Sequence, residues 1–246
     1  MDKVSVIIPT YNRFHFLLNT IESIKNQTHK NMEIIVVNDC STEPEYYNYN
    51  WQDIHIIHLP ENTKTKFGYA CVGHVINCGL KYYTGDYFAT CDDDDMWLPN
   101  KIELQLKAMR ETGCKMSSTD GFIGEGMYNP QKEYKKYNAE HYYQTLERIY
   151  RDRGSNLLNN GFPLIWDLNF LKIHNCMIAC SVIIHKDIIK KIGKQCEIPM
   201  GGTILDNQVV HIDYDYWLRA LEHTNSVYVN ESCFYYDELH GYGNNY

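Results

Sequence analysis

The apolar residues of the first ninety positions fall into two alternating patterns. Continuous β-branched and aromatic runs are typical of strands buried on both faces, and they predict strands at residues 4–8, 33–37, 54–59 and 87–91. Apolar residues spaced three and four apart predict helices at residues 14–27 and 67–80. This succession of elements indicates an α/β fold with a mostly parallel sheet covered by helices on both faces.

The second half of the chain has a less regular pattern. Helical spacing predicts helices at residues 99–113, 139–151, 186–192 and 214–222. Short apolar runs predict strands at residues 180–184, 227–229 and 234–236. No repeat, low-complexity tract or linker separates the two halves, so we expect one continuous sheet.

Three of the predicted strands are followed at once by polar residues. The clusters are Thr10 to Arg13 after the first strand, Asn38 and Asp39 after the second, and Asp92 to Asp95 after the fourth. Open α/β sheets bind their ligands beyond the carboxyl ends of the strands. We therefore expect the three clusters to form one binding site.

The four aspartates from Asp92 to Asp95 repel one another. Two like charges about 4 Å apart cost roughly 1 kcal/mol in water and several times more at a partly buried site. The apolar strand before them and Trp97 after them argue against full solvation. Carboxylate oxygens suit Mg²⁺ or Mn²⁺, which usually also bind substrate phosphates. A metal–phosphate site is the leading hypothesis; an acidic surface loop and a structural Ca²⁺ site are the alternatives.

Composition narrows the class of protein. The 246 residues are 44% hydrophobic and 22% charged, as in an ordinary globular protein of one large domain or two fused lobes. The net charge of -8 provides no basic field for a nucleic-acid partner. Nine cysteines without zinc-ligand spacing predict reduced thiols and a cytoplasmic protein. We expect no transmembrane segment, although peripheral membrane contact stays open.

Several motifs occur in the order of a known family. They are SVIIPTYNR at residues 5–13, QT at 27–28, EIIVVNDCS at 33–41, NCG at 77–79, TGDY at 84–87, DDDDMWLP at 92–99 and DYDYWLR at 213–219. Together they resemble the family 2 glycosyltransferases. The resemblance implies the GT-A fold, with a Rossmann-like central sheet, and inverting transfer of a sugar from a nucleotide diphosphate.

The resemblance also implies a division of the chain and a set of ligands. We expect a single GT-A domain over residues 1–246, with a nucleotide-sugar-binding half at 1–113 and an acceptor-binding half at 114–246. The donor is expected to be a UDP- or dTDP-sugar and the cofactor Mn²⁺ or Mg²⁺. The acceptor is expected to be a glycan, a lipid-linked saccharide or a protein.

Site residues follow by matching each motif position. The resemblance implies Asp213 as the catalytic base and Tyr11 as the residue that stacks on the nucleobase. It also implies that Asp39 accepts a hydrogen bond from N3–H of the base. The nucleotide-binding set is Pro9, Tyr11, Arg13, Asp39, Asp92 and Asp93. The metal-binding set is Asp94, Asp92 and His240.

Four positions depart from the family pattern. They are Asn38 and Cys40 in place of a common Asp and Gly, Ile212 in place of Glu, and Glu238 in place of an Arg near His240. None of the four removes the implied base or the implied metal ligands.

Other interpretations stay open for most of these residues. Asp39 and Asp213 could cap local structure, and Arg13 and Lys66 could be solvated charges. Tyr11 and His240 could be ordinary packed side chains. A nucleotidylyltransferase and a non-catalytic sugar-nucleotide or carbohydrate-binding module are the alternative functions.

Overall fold

The computed structural model describes residues 2–198, 203–205 and 208–240 of the chain. The strands are β1 (Val4–Thr10), β2 (Met32–Asn38), β3 (Ile54–His58), β4 (Tyr87–Thr90), β5 (Met96–Trp97), β6 (Met116–Gly124), β7 (Lys135–Lys136), β8 (Ile165–Trp166), β9 (Ile183–His185), β10 (Ile204–Leu205), β11 (Gln208–Val209) and β12 (Ser226–Asp237). The α-helices are α1 (Phe14–Lys25), α2 (Glu45–Asn48), α3 (Thr63–Phe67), α4 (Val72–Gly79), α5 (Lys101–Thr112), α6 (Tyr143–Asp152), α7 (Leu168–Ile173), α8 (Lys186–Ile192) and α9 (Ile212–Leu221). A π-helical turn (Tyr137–Tyr142) precedes α6, and a 3₁₀ turn (Ala179–Ser181) precedes β9.

One mixed sheet includes strands from both halves of the chain. Its order is β3-β2-β1-β4-β9-β6-β12-β5, with β7 paired to β6 and β8 paired to β12. Neighbours from β3 to β4 are parallel, as are β6 and β12, whereas β9 is antiparallel to both β4 and β6. The predicted α/β class with a mostly parallel sheet is confirmed.

Side chains on both faces of the β1–β2 pair are buried. Ile7 and Val37 pack on one face with residues of α4 and α9. Val6 and Ile8 pack on the other face with residues of α1 and α5. This two-sided burial is why the strands read as continuous apolar runs instead of alternating ones.

The helix predicted at residues 67–80 is confirmed at 72–79 as α4, but its predicted start is wrong because a separate helix ends at Phe67. That helix, α3, begins after Asn62, whose side chain accepts a hydrogen bond from the Lys64 backbone N–H. It ends at Gly68, which has a left-handed φ of 82°. Glycine in this conformation is a common helix terminator, so α4 begins separately at Val72.

Strand β6 was not predicted, since its first five residues are Met116 followed by four polar residues. Ser117, Ser118, Thr119 and Asp120 are nevertheless buried in the middle of the sheet. Gln105 of α5 donates hydrogen bonds to the Ser117 and Ser181 carbonyls at 3.2 and 2.9 Å. Asp120 accepts from the Asn138 and Ala139 backbone N–H groups at 2.9 and 3.0 Å. Partners distant in sequence thus satisfy Ser117 and Asp120 inside the sheet.

Three other boundaries in the second half differ from the predictions. The two strands predicted at 227–229 and 234–236 are one strand, β12, whose register with β6 shifts between Val229 and Ser232. The predicted helix at 139–151 starts as the π-helical turn, and the strand at 180–184 starts as the 3₁₀ turn. Bulges and irregular helical turns leave weak local signals, so the sequence located these elements but not their limits.

The cysteines are all free thiols, and six of the nine are buried. None of the described helices combines the length and the apolar composition that crossing a bilayer requires.

Glu33 of β2 joins three neighbouring segments of the sheet. Its carboxylate accepts from the Lys3 ammonium at 2.5 Å, from the Ser5 hydroxyl of β1 and from the Thr84 backbone N–H at 2.6 Å. Partial burial opposes ionisation, but these hydrogen bonds outweigh it and hold the pKa of Glu33 at about 2. The ionised carboxylate therefore stabilises the start of the parallel sheet.

Replacing Glu33 by Gln tests this bridge. The variant is expected to lose about 1–3 kcal/mol of unfolding free energy at pH 7. The folded-state pKa of Glu33 lies below the usual 4.5. The extra unfolding free energy of the wild type is therefore complete above pH 4.5 and disappears as the pH falls toward 2. Urea unfolding at pH 7, 4 and 3 measures the difference, with exposed Glu231→Gln as the control. A difference that does not depend on pH contradicts the assignment.

Candidate active site

A cavity of about 300 Å³ lies beside the carboxyl ends of β1 and β4. Residues of α4 and α9, including Val72, Ile76 and Trp217, form its apolar side. Seven predicted site residues line it, namely Pro9, Arg13, Asp92, Asp93, Asp94, Asp213 and His240. The fold thus brings together residues that are up to 231 positions apart in sequence, from Pro9 to His240.

Helix α1 holds the aspartate run in place through its hydroxyl side chains. The Thr20 hydroxyl lies 2.9 Å from the Asp93 carbonyl and 2.6 Å from the Asp95 carbonyl, and donates to this pair. One turn later, the Ser23 hydroxyl accepts from the Trp97 backbone N–H at 3.1 Å. These contacts set the course of the backbone through the run, so the carboxylates are presented by a rigid support.

Arg13 is buried against the aspartates and is not a solvated charge. Its Nη1 donates to Asp93 Oδ1 at 3.0 Å and to Asp94 Oδ2 at 2.6 Å, and the residue is only 8% exposed. Burial raises the pKa of Asp93, and the Arg13 guanidinium opposes that rise. Burial also raises the pKa of Asp92, where repulsion from Asp94 and Asp213 adds to it. Lys66 is exposed, as a solvated charge would be.

The predicted metal ligands face the same cavity. Asp94 Oδ2 lies 4.0 Å from His240 Nδ1, and Asp92 lines the same wall. No ready-made cluster of three His, Cys, Asp or Glu ligands occurs in the part of the chain that the structure describes. The carboxylate oxygens of Asp92 and Asp94 nevertheless suit Mn²⁺ or Mg²⁺, and the imidazole nitrogen of His240 favours the softer ion, Mn²⁺. The residues present therefore fit the predicted ion.

Asp213 lies in the first turn of α9 and is not its N-cap. His211 occupies the cap position, while Asp213 Oδ1 accepts from the Tyr214 backbone N–H at 2.7 Å. Burial raises the pKa of the Asp213 carboxyl, although the Tyr214 N–H and His211 oppose this shift. A carboxylate with a raised pKa in a cavity is suited to accepting a proton.

Asp215 has an anchoring role that the sequence analysis missed. Its buried carboxylate accepts from the Thr203 backbone N–H at 2.8 Å, the Cys196 thiol at 3.2 Å and Arg219 Nε at 3.0 Å. Arg219 in turn donates to the Ile192 and Lys194 carbonyls. The signal in the sequence was the Asp215–Arg219 spacing of four on a helix. Together the pair ties the chain on both sides of residues 199–202 to the helix that carries Asp213.

The NCG motif at residues 77–79 ties the same segment to α4. Asn77 Nδ2 donates to the Gln195 carbonyl and Asn77 Oδ1 accepts from the Gln195 N–H, both at 2.9 Å. Gly79 faces β1, where an added Cβ would approach Ile7 Cγ2 to 2.8 Å. The motif therefore joins α4 to the sheet on one side and to residue 195 on the other.

Asp39 and Tyr11 do not belong to the cavity lining. The buried Asp39 carboxylate accepts from Asn62 Nδ2 at 3.1 Å and from the Thr63 N–H and hydroxyl at 2.9 and 2.6 Å. Asp39 thus holds the start of α3, whereas the capping interpretation had placed it on the turn that directly follows it. Burial raises its pKa, and the Thr63 hydrogen bonds oppose that rise. Tyr11 is half-buried in the loop after β1.

The loops after β1 and β2 are bound to each other. Asn12 N–H donates to the Ser41 hydroxyl at 2.9 Å, and the Thr42 N–H donates to Asn12 Oδ1 at 2.7 Å. Both loops contain a non-glycine residue with positive φ, 49° at Asn12 and 58° at Cys40. Asparagine tolerates this conformation, whereas cysteine does so at a cost.

Sequence comparison decides the family. The profile described as Glycosyl transferase family 2 matches residues 5–188, which is three quarters of the chain. The chain belongs to glycosyl transferase family 2.

Relatives of this family 2 member include bacterial glycosyltransferases. An uncharacterized glycosyltransferase of Rickettsia typhi is 29% identical over 96% of this chain and 64% of its own length. The Escherichia coli UDP-Glc:alpha-D-GlcNAc-diphosphoundecaprenol beta-1,3-glucosyltransferase WfaP is 38% identical over 50% of this chain and 47% of its own. The chain thus spans less than two thirds of the length of these relatives.

Solved structures show the same fold. S. aureus TarS 1-349 in complex with UDP-GlcNAc superposes with a TM-score of 0.61 and 16% identity, covering 96% of this chain and 58% of TarS 1-349. The complex of the same protein with UDP gives a TM-score of 0.60 and 16% identity, covering 96% of this chain and 60% of that one. The predicted GT-A fold of this family 2 member is confirmed.

The positive φ of Cys40 accounts for the glycine that is common at this family position. Cys40→Gly should stabilise the protein by about 0.5–1 kcal/mol. A residue with a Cβ loses roughly 1–2 kcal/mol in the left-handed conformation. Glycine avoids this strain, but part of the gain is offset because glycine loses more backbone entropy on folding. Urea unfolding measures the change. Cys40→Ala is the matched control, since it removes the thiol but keeps the Cβ. An equal gain in both variants would show that the thiol, not the backbone, is responsible.

Proposed function

We propose that this chain transfers a sugar from a UDP- or dTDP-sugar to a hydroxyl of an acceptor, with inversion at the anomeric carbon. One observation carries the proposal: Asp92, Asp94 and Asp213 line a single cavity at the carboxyl ends of β1 and β4. Inversion places the leaving group and the base on opposite faces of one sugar. The shared cavity supports the proposal because it brings the carboxylates proposed for both roles to one site. Membership of glycosyl transferase family 2 supports the same reaction class.

Asp92, Asp94 and His240 are proposed to hold Mn²⁺ or Mg²⁺. When bound, such an ion supplies positive charge that stabilises the departing nucleoside diphosphate. Asp93 contributes indirectly, because its ion pair with Arg13 keeps the guanidinium beside the cavity.

Asp213 is proposed as the base that accepts the proton of the attacking hydroxyl. It is carried on the first turn of α9, which Asp215 and Arg219 tie to Ile192, Lys194 and Thr203. Its raised pKa makes it a better proton acceptor than an exposed aspartate. Ile212 beside it lines the cavity and adds no second carboxylate.

Pro9, Tyr11 and Asp39 are proposed to bind the nucleoside. A carboxylate has about four acceptor positions, and Asp39 uses three of them for Asn62 and Thr63. One position remains for the N3–H of uracil or thymine. In this arrangement Asp39 both holds α3 and recognises the base.

The remaining proposals concern the setting of the reaction. We propose one GT-A domain over residues 1–246, with the donor half at 1–113 and the acceptor half at 114–246. The acceptor is a glycan, a lipid-linked saccharide or a protein, and the location is the cytoplasm, where the nine free thiols stay reduced.

Asp213→Asn tests the base. Sugar transfer to pooled glycoside acceptors should fall by about 10²- to 10⁴-fold, because the amide cannot accept the proton. Donor affinity should stay within about twofold, since the carboxylate acts on the acceptor. Nucleoside diphosphate release and calorimetric donor binding measure the two effects, with exposed Asp53→Asn as the control. Full transfer by Asp213→Asn refutes the base assignment, and donor binding without turnover by the wild type favours the binding-module alternative.

Asp94→Ala tests the metal. With Mn²⁺ and a panel of UDP- and dTDP-sugars, the wild type should release nucleoside diphosphate and the variant should not, because the ion stabilises the leaving group. Chelation by EDTA should abolish wild-type release, and added Mn²⁺ should restore it. Equal release by Asp94→Ala contradicts the metal assignment. Pyrophosphate release from a nucleoside triphosphate would indicate the nucleotidylyltransferase alternative.

A further inference from the structure

One oxygen of Asp94 has two cationic neighbours. Oδ2 accepts from Arg13 Nη1 at 2.6 Å and also faces His240 Nδ1 at 4.0 Å. An ion held jointly by Asp94 and His240 would need this oxygen as a ligand. The Arg13 guanidinium therefore competes with such an ion for Oδ2 of Asp94.

We propose that Arg13 is a built-in counter-ion, which fills the cation position of the free site and moves to the diphosphate when cation and donor bind together. The inference rests on the proposed function, because it requires the ion at Asp94. It gives Arg13 a positioning role beyond nucleotide contact.

Charge balance explains why the free site needs Arg13. Asp92, Asp93, Asp94 and Asp213 all line the cavity, and the side chains of Asp93 and Asp94 are almost fully buried. Among the described lining residues Arg13 is the one with a permanent positive charge. Without a cation, its ion pairs with Asp93 and Asp94 are what limits the repulsion.

The backbone of Arg13 is fixed, so only its side chain can change partners. Its N–H donates to the buried Tyr46 hydroxyl at 3.1 Å, and its carbonyl accepts from the Leu17 N–H at the start of α1. The side chain lines the same cavity in which the donor phosphates are proposed to lie. A guanidinium released from Asp94 therefore has a bidentate phosphate partner within reach.

This exchange makes cation and diphosphate binding interdependent. A divalent cation alone has to displace Arg13 without giving it a new partner, so the bare protein should bind the cation weakly. A diphosphate provides the new partner, so each ligand should raise the affinity for the other by the same factor.

The test measures Mn²⁺ affinity by electron paramagnetic resonance, with and without UDP, on the full chain. Without UDP, Arg13→Gln should bind Mn²⁺ about tenfold more tightly than the wild type. The factor by which UDP raises the Mn²⁺ affinity should be at least about threefold smaller in Arg13→Gln than in the wild type. Arg13→Lys keeps a positive charge and should bind bare Mn²⁺ as weakly as the wild type. Arg110→Gln, whose exposed partner is Asp2, is the matched control and should match the wild type.

The outcomes separate the two proposals. Equal bare Mn²⁺ affinity in the wild type and Arg13→Gln overturns the exchange and leaves Arg13 a structural ion pair, while the metal assignment stands. Absence of Mn²⁺ binding in every protein, with UDP bound, overturns the metal assignment and the exchange with it.

Thermal unfolding gives a second readout if Arg13→Gln is unstable. Mn²⁺ should then raise its melting temperature more than that of the wild type, and an equal rise counts against the exchange.

Discussion

Mutual repulsion among buried carboxylates is the constraint on which this site depends. Asp92 to Asp95 follow a fully buried strand, so solvent screens their charges poorly. The protein opposes the repulsion in two ways. Arg13 pairs with two of the carboxylates, and hydroxyl groups of α1 bind the backbone between them. The site is thus organised before a ligand arrives, with a charge distribution that favours a cation.

The second half of the chain brings Asp213 to the cavity that Asp92, Asp93 and Asp94 line. Asp215 and Arg219 of α9 bind Thr203, Ile192 and Lys194, and Asn77 of α4 binds Gln195. Each contact joins residues far apart in sequence, and none contributes an atom to the proposed reaction. The two acids of the 213–219 motif therefore divide the work: Asp213 faces the cavity and Asp215 supports it.

Prediction from sequence succeeded where burial leaves a regular pattern. Strands β1 to β4 and helix α1 were located because continuous apolar runs and helical spacing follow directly from two-sided burial. It failed for β6, whose polar residues are buried against partners such as Gln105 and Asn138. No local pattern encodes a partner that the fold supplies. The break between α3 and α4 was also missed, because a single glycine changes the chain direction there.

The amino-acid sequence by itself determined the fold class, the family motifs and which side chains are candidates for the site. These follow from periodicity and residue chemistry, which are local properties. Tertiary structure decided the relations between the candidates. It paired Arg13 with Asp94, bound Asp39 to Thr63 at the start of α3 and brought Asp213 into the cavity of Asp92. Such relations depend on distances between residues far apart in the chain, which only the packed sheet and helices define.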